Sequence, residues 1–110
     1  MANVWQFWEF EHPSGKTVRV IATPDGLEIF AEDVFQILAP ELDAEEVIHL
    51  NIKIQKRCVI LNCHCPEVTI QTLNSLAIHN LIGMAEAGLV KQFMQWVRSN
   101  ILPIFHKDFI

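Results

Sequence analysis

The chain has 110 residues, 51% of them apolar and 19% charged, with a formal net charge of -5. A chain of this length buries roughly two-thirds of its unfolded surface around one core, so residues 1–110 are expected to form a single domain. The acidic balance counts against a broad nucleic-acid surface, because such surfaces draw their affinity from Lys and Arg on phosphate.

No apolar run reaches the ~18–20 residues that a membrane span requires. The start, "MANVWQFWEF", has neither the basic region nor the long apolar stretch of a secretory signal. The three cysteines are an odd number in a chain with an adequate core, which predicts free thiols and a reducing, cytoplasmic setting.

In chain order, "VWQFWEF" alternates, with Trp5, Phe7 and Glu9 on one side and Gln6, Trp8 and Phe10 on the other. Aromatic residues on both faces predict a strand packed on two sides, and Trp5 and Trp8 are candidate dimer contacts. "HPSG" supplies turn chemistry before a second alternating run, "KTVRVIA", so the two read as a hairpin. "TPDG" is another turn, with Pro24 fixing φ and Gly26 free to take a positive φ. A short strand, "LEIF", follows.

"AEDVFQILA" changes period: Ala31, Val34, Phe35 and Leu38 share a helical face, Glu32 and Asp33 occupy the first turn, and Pro40 ends the helix. "ELDAEEV" reads as a solvated acidic turn, since it lacks calcium-loop spacing. "VIHLNIKIQKR" and "CVILNCH" are rich in strand formers, and "EVTI" is a short strand. Thr72 is then expected to cap a helix over "LNSLAIHNLIGMA", apolar around most of its circumference and therefore central. Gly83 and Gly88 bracket a break before the last helix. There Val90, Phe93, Met94, Val97 and Ile101 form the buried stripe, Trp96 lies at its edge, and Pro103 is expected to stop the helix near Ile101 or Leu102. The order of elements predicts an α+β domain: a small mixed sheet of short strands with about three helices.

Two segments carry a resemblance. Ile29, Phe30, Ala31, Asp33 and Val34 fit an aromatic-Val-Ala-x-Asp-Val segment that opens a helix, and Phe93, Trp96, Val97, Leu102 and Pro103 fit a Phe-x-x-Trp-Val helix closed by Leu-Pro. This pattern resembles the BRO family N-terminal domain of baculovirus repeated proteins and phage or prophage antirepressors. The resemblance implies an antirepressor-like protein that binds a repressor or other regulatory protein non-covalently. The alternative it implies is a DNA-binding transcriptional regulator. Against that alternative, Ala85, Glu86 and Ala87 stand where the family often has a basic turn, and Ser75, Leu76 and Ala77 replace its usual Gly-Leu-Tyr.

Other clusters are weaker. Lys53, Lys56 and Arg57 form the one basic group, read as a solvated strand face before a phosphate-contacting patch, and Arg98 is able to join it. Cys58, Cys63, His64 and Cys65 lie close in sequence but lack a second Cys pair to complete a zinc tetrahedron, so they read as thiols and no metal is expected. The histidines are scattered, no nucleophile elbow or phosphate loop is present, and neither an enzyme nor a cofactor is expected. A closed homodimer is the expected form, since aromatics on both faces of the first strand exceed what one small core hides.

Overall fold

The computed structural model describes residues 4–24, 26–40, 54–60, 68–81 and 87–109, the last four by backbone alone. The fold is α+β, built on a mixed sheet. Its strands are β1 (Val4–Trp5), β2 (Phe7–Glu11), β3 (Thr17–Thr23), β4 (Gly26–Phe30), β5 (Gln55–Val59) and β6 (Val68–Asn74). Helix α1 (Ala31–Leu38) follows β4, and α2 (Ser75–His79) follows β6. The last helical path runs from α3 (Ala87–Trp96) through a π turn (Val97–Ile101) into α4 (Leu102–Phe109).

The strand order is β1-β5-β6-β4-β3-β2, so β1 and β2 stand at opposite ends of the sheet. Only Gln6 separates them in sequence. The first stretch of chain therefore passes from one edge of the sheet to the other, so the sheet curls until its two edge strands meet end to end at Gln6. β1 pairs with β5 in parallel (Val4 with Cys58, Trp5 with Val59), whereas β2 pairs with β3 antiparallel. That parallel pair makes the sheet mixed.

The turns follow from local chemistry. Between β2 and β3, His12 N–H donates to the Lys16 carbonyl at 2.9 Å, and Gly15 adopts a φ of 88° that other residues avoid. Gly26 opens β4 at a φ of 134°, and the Thr23 hydroxyl donates to its carbonyl at 2.8 Å. Strand alternation then sorts side chains between two faces. Val18, Val20, Ile29 and Leu73 turn outward onto Val34 and Leu38 of α1, Ala77 and Ile78 of α2, and Val90, Phe93 and Val97 of the last helical path. Ile21, Phe30 and Val59 turn inward, with Trp5, Phe7 and Ile70 partly buried around them.

The expected faces of α1 and α3 hold: Ala31, Val34, Phe35 and Leu38 are buried, as are Val90, Phe93 and Met94. Four local expectations change. β5 joins the end of "KIQKR" to "CV" in one strand, so the sequence boundary between two β-rich segments disappears. β6 runs on to Asn74, because Thr72 pairs with Phe30 across the sheet and its hydroxyl is engaged by Glu28; Asn74 is the cap instead, accepting from the Ala77 N–H at 2.9 Å. The helix that follows is short and one-sided, with Leu76 68% exposed, and is not central. Gly88 lies within the first turn of α3 rather than before it.

Pro103 does not stop the chain's helical path. Leu102 N–H donates back five residues to the Val97 carbonyl, widening the turn immediately before the proline. The wider turn gives room for the pyrrolidine ring, whose usual clash is with the carbonyl four residues back. Asn100 Nδ2 adds a bond to the Trp96 carbonyl at 3.0 Å.

Phe93 is 1% exposed, so Phe93→Ala should lower unfolding free energy by about 3–5 kcal/mol in denaturant titration. Trp96 is only partly buried, and Trp96→Ala should cost less, about 1–3 kcal/mol.

Candidate functional site

The fold divides the basic cluster read from the sequence. Lys56 and Arg57 are neighbours on β5, so alternation sends them to opposite faces: Lys56 is exposed outside, and Arg57 points inward. There Arg57 Nε and Nη2 donate to the two carboxylate oxygens of Glu28 at 2.9 and 2.6 Å. The Thr72 hydroxyl donates to Glu28 Oε1 at 2.6 Å, and the Arg57 guanidinium lies 5.7 Å from the Trp5 ring centre. Lys53 lies outside the described residues. Arg98, on the π turn, is exposed on the helix-bearing side of the sheet, away from the inward face that holds Arg57. The three described cations, Lys56, Arg57 and Arg98, therefore do not assemble one patch.

Glu28 is 5% exposed. Burial pushes its pKa up, but hydrogen bonds from Arg57 and Thr72, with the Arg57 charge, outweigh burial and hold it below the ordinary glutamate value. A second inward pair repeats the design. The β3–β4 ladder ends at Val20 and Ile29, and one residue further the Arg19 N–H donates to Asp33 Oδ2 at 2.9 Å. Arg19 Nε and Nη2 reach the same carboxylate at 2.9 and 2.8 Å, and its guanidinium covers the Phe30 ring at 4.5 Å. Hydrogen bonding to Asp33 raises the Arg19 pKa above its already high value. Asp33 thus ties the start of α1 to β3. Among the described residues no buried side-chain polar atom lacks a partner, which makes both networks structural braces. Their sequence signal was available: Arg19, Glu28 and Arg57 all occupy inward positions of strands.

The other expected residues are dispersed. Trp5 packs, partly buried, against the inner cluster, and Trp8 is 43% exposed, its ring centre 5.2 Å from that of Phe105 in an edge-to-face arrangement. Cys58 is a free thiol whose Sγ lies 3.7 Å from Thr69 Oγ1, while Cys63, His64 and Cys65 lie outside the described residues. Phe30, Val34, Phe93 and Val97 are core side chains, and Leu102 is half-buried.

Two concavities are lined by described residues. A shallow one is walled by His12, Trp96 and Asn100, with the His12 and Trp96 ring centres 4.7 Å apart. His12 Nδ1 accepts the Ser14 N–H at 3.1 Å, which the neutral ring allows, and burial lowers the His12 pKa from 6.5. The other is an apolar cavity of about 160 Å³ between β4, α2 and the last helical path, walled chiefly by Leu27, Ile29, Ile78, Met94 and Val97. Its exposed lining residues are Ser75 and Arg98, which mark its mouth. The π turn brings Val97 and Arg98 to it, and π turns recur at functional sites. Among the described residues Arg98 is the one ionisable group that lines this cavity, so what they offer is shape and a positive charge rather than an acid–base pair. Sequence reading missed it, because it depends on how α2 and the π turn meet over β4.

A scan against protein-family models, a search of curated proteins and a search of solved structures each gave no match.

The brace predicts an acid response. Because the Glu28 pKa is lowered on folding, its contribution is complete above the ordinary value of 4.5 and is lost as pH falls through the folded value. Glu28→Gln should cost about 1–3 kcal/mol at pH 7, the lower range reflecting the partly exposed Arg57, and should flatten the acid limb of a stability-versus-pH series. His12 acts at higher pH. Its folded pKa lies below 6.5, so stability should decline as pH falls through that value and level off below the folded pKa; His12→Gln should remove this step in the same series.

Proposed function

We propose that this chain is a BRO-type, phage or prophage antirepressor-like protein that works in the cytoplasm by non-covalent binding to a regulatory protein, without catalysis. The observation that carries this reading is the fate of the basic cluster. Arg57 is held bidentately by a buried glutamate, and Lys56 faces away from it. In a chain of net charge -5, that leaves Lys56 as the one described cation of the cluster free to face phosphate, which weighs against the DNA-binding alternative. The helix-bearing side offers instead an apolar cavity and exposed apolar residues such as Leu76 and Leu89. Aromatic, Met and Arg side chains are the groups on which protein interfaces concentrate their energy.

The proposal includes a homodimer with its contact at Trp8, which is 43% exposed beside the last helix, while Trp5 packs in the inner cluster. Light scattering should then report about twice 12.6 kDa, and Trp8→Ser should return the mass to that of one chain. A monomeric wild type at micromolar concentration removes the dimer.

The binding reading is tested by affinity capture from bacterial host extract with the bound protein identified, alongside electrophoretic retention of duplex and single-stranded DNA at low salt. One protein captured stoichiometrically, with no DNA retained, is the expected result. DNA retention that weakens with salt and with Lys56→Ala, in the absence of a captured protein, overturns it.

A further inference from the structure

We propose that the cavity under the π turn is the docking point for one apolar side chain of a protein partner, with an adjacent carboxylate of that partner held by Arg98. The proposal rests on the protein-binding reading for the kind of occupant, and on the cavity's own chemistry for everything else.

Size comes first. A cavity of about 160 Å³ matches the roughly 150 Å³ apolar cavities that admit a benzene-sized guest, so a Leu or Phe side chain fits and a folded element does not. Its walls are Leu27 and Ile29 from β4, Ile78 from α2, and Met94 and Val97 from the last helical path. Apolar walls of this kind gain from an apolar guest and gain little from water. Met94 adds an unbranched side chain that adjusts to guests of different shape.

Charge selects what lies beside that guest. Three arginines stand among the described residues. Arg19 and Arg57 are each locked bidentately onto a buried carboxylate, whereas Arg98 makes no ion pair among the described residues and stands at the cavity mouth. A guanidinium presents a planar fork that matches a carboxylate with two parallel hydrogen bonds. The Ser75 hydroxyl, exposed on the same rim, adds a further donor. An apolar side chain with a carboxylate one residue away or on its own C-terminus satisfies both features at once.

The test is a titration of the isotopically labelled protein with three probes, read by amide shifts at Leu27, Ile78, Val97 and Arg98. The probes are N-acetyl-Ala-Phe with a free carboxylate, the same dipeptide as its C-terminal amide, and N-acetyl-Ala-Gly with a free carboxylate. The acid form of the Phe probe should saturate these shifts in the millimolar range expected of a single anchor, with the amide roughly tenfold weaker and the Gly probe silent. Arg98→Gln, an exposed position whose folding is checked by circular dichroism, should bring acid and amide to equal affinity while leaving the weaker Phe-dependent shifts in place. Absence of shifts at these amides with the Phe probes, equal binding of acid and amide by the unmodified protein, or an acid preference that survives Arg98→Gln would each overturn the proposal. Capture from extract reads the whole surface and this titration reads only the cavity, so the two experiments fail independently.

Discussion

The passage of the first strand across Gln6 is the constraint on which the rest of the fold depends. Val4 and Trp5 are bound to β5, and Phe7 to Glu11 are bound to β3, so one short stretch joins both edges of the sheet. Curling a sheet until its end strands meet divides its side chains between an inner and an outer face. It also makes the inner face small. Its apolar cluster among the described residues is Ile21, Phe30 and Val59, with Trp5, Phe7 and Ile70 packed partly buried against it. The larger apolar demand goes to the outer face, where α1, α2 and the last helical path cover Val18, Val20, Ile29 and Leu73.

That inner face explains the buried charges. Beyond the apolar cluster, inward positions on β3, β4 and β5 carry Arg19, Glu28 and Arg57, and a buried ion is stable only when paired and hydrogen-bonded. Asp33 and Thr72 supply what the three residues alone lack. Asp33 takes the Arg19 N–H where the β4 ladder has ended, so the same carboxylate completes a strand's hydrogen bonding and neutralises a cation. Such braces add less net stability than apolar packing of equal volume, but removal of one member leaves an uncompensated charge in a confined space. They fix which residues face inward, and so the register of the strands that carry them.

How much of this was legible in the sequence varies with the range of the interaction that decides each feature. The α1 face from Ala31 to Leu38, the Gly15 and Gly26 turns and the buried stripe through Phe93 rest on local period and backbone freedom, and all were readable. Thr72 was not: hydroxyl residues favour caps, but Glu28, 44 residues earlier in the chain, takes its hydroxyl and leaves the cap to Asn74. The parallel pairing of β1 with β5 has no local mark, since it joins segments more than fifty residues apart. The basic cluster "KIQKR" looked like a patch because sequence neighbours were read as spatial neighbours. On a strand they are the residues kept furthest apart in direction.

The π turn joins the last of these threads. Val97 and Leu102 of the Phe-x-x-Trp-Val and Leu-Pro segment are the two ends of the i to i+5 hydrogen bond, and Pro103 follows at once. The same two residues, with Arg98 between them, line the apolar cavity over β4. Val97 and Leu102 stand five residues apart, the separation that the i to i+5 bond of a wide turn requires when the helical path continues through proline. A regular α-helix would have ended or kinked there, as proline ordinarily dictates. The widened turn lets the helix continue while carrying Val97 and Arg98 to the cavity. The inward cations of the sheet are neutralised, and this turn gives the helical layer a recess beside an arginine that makes no ion pair among the described residues, which is why the proposed partner contact is placed there.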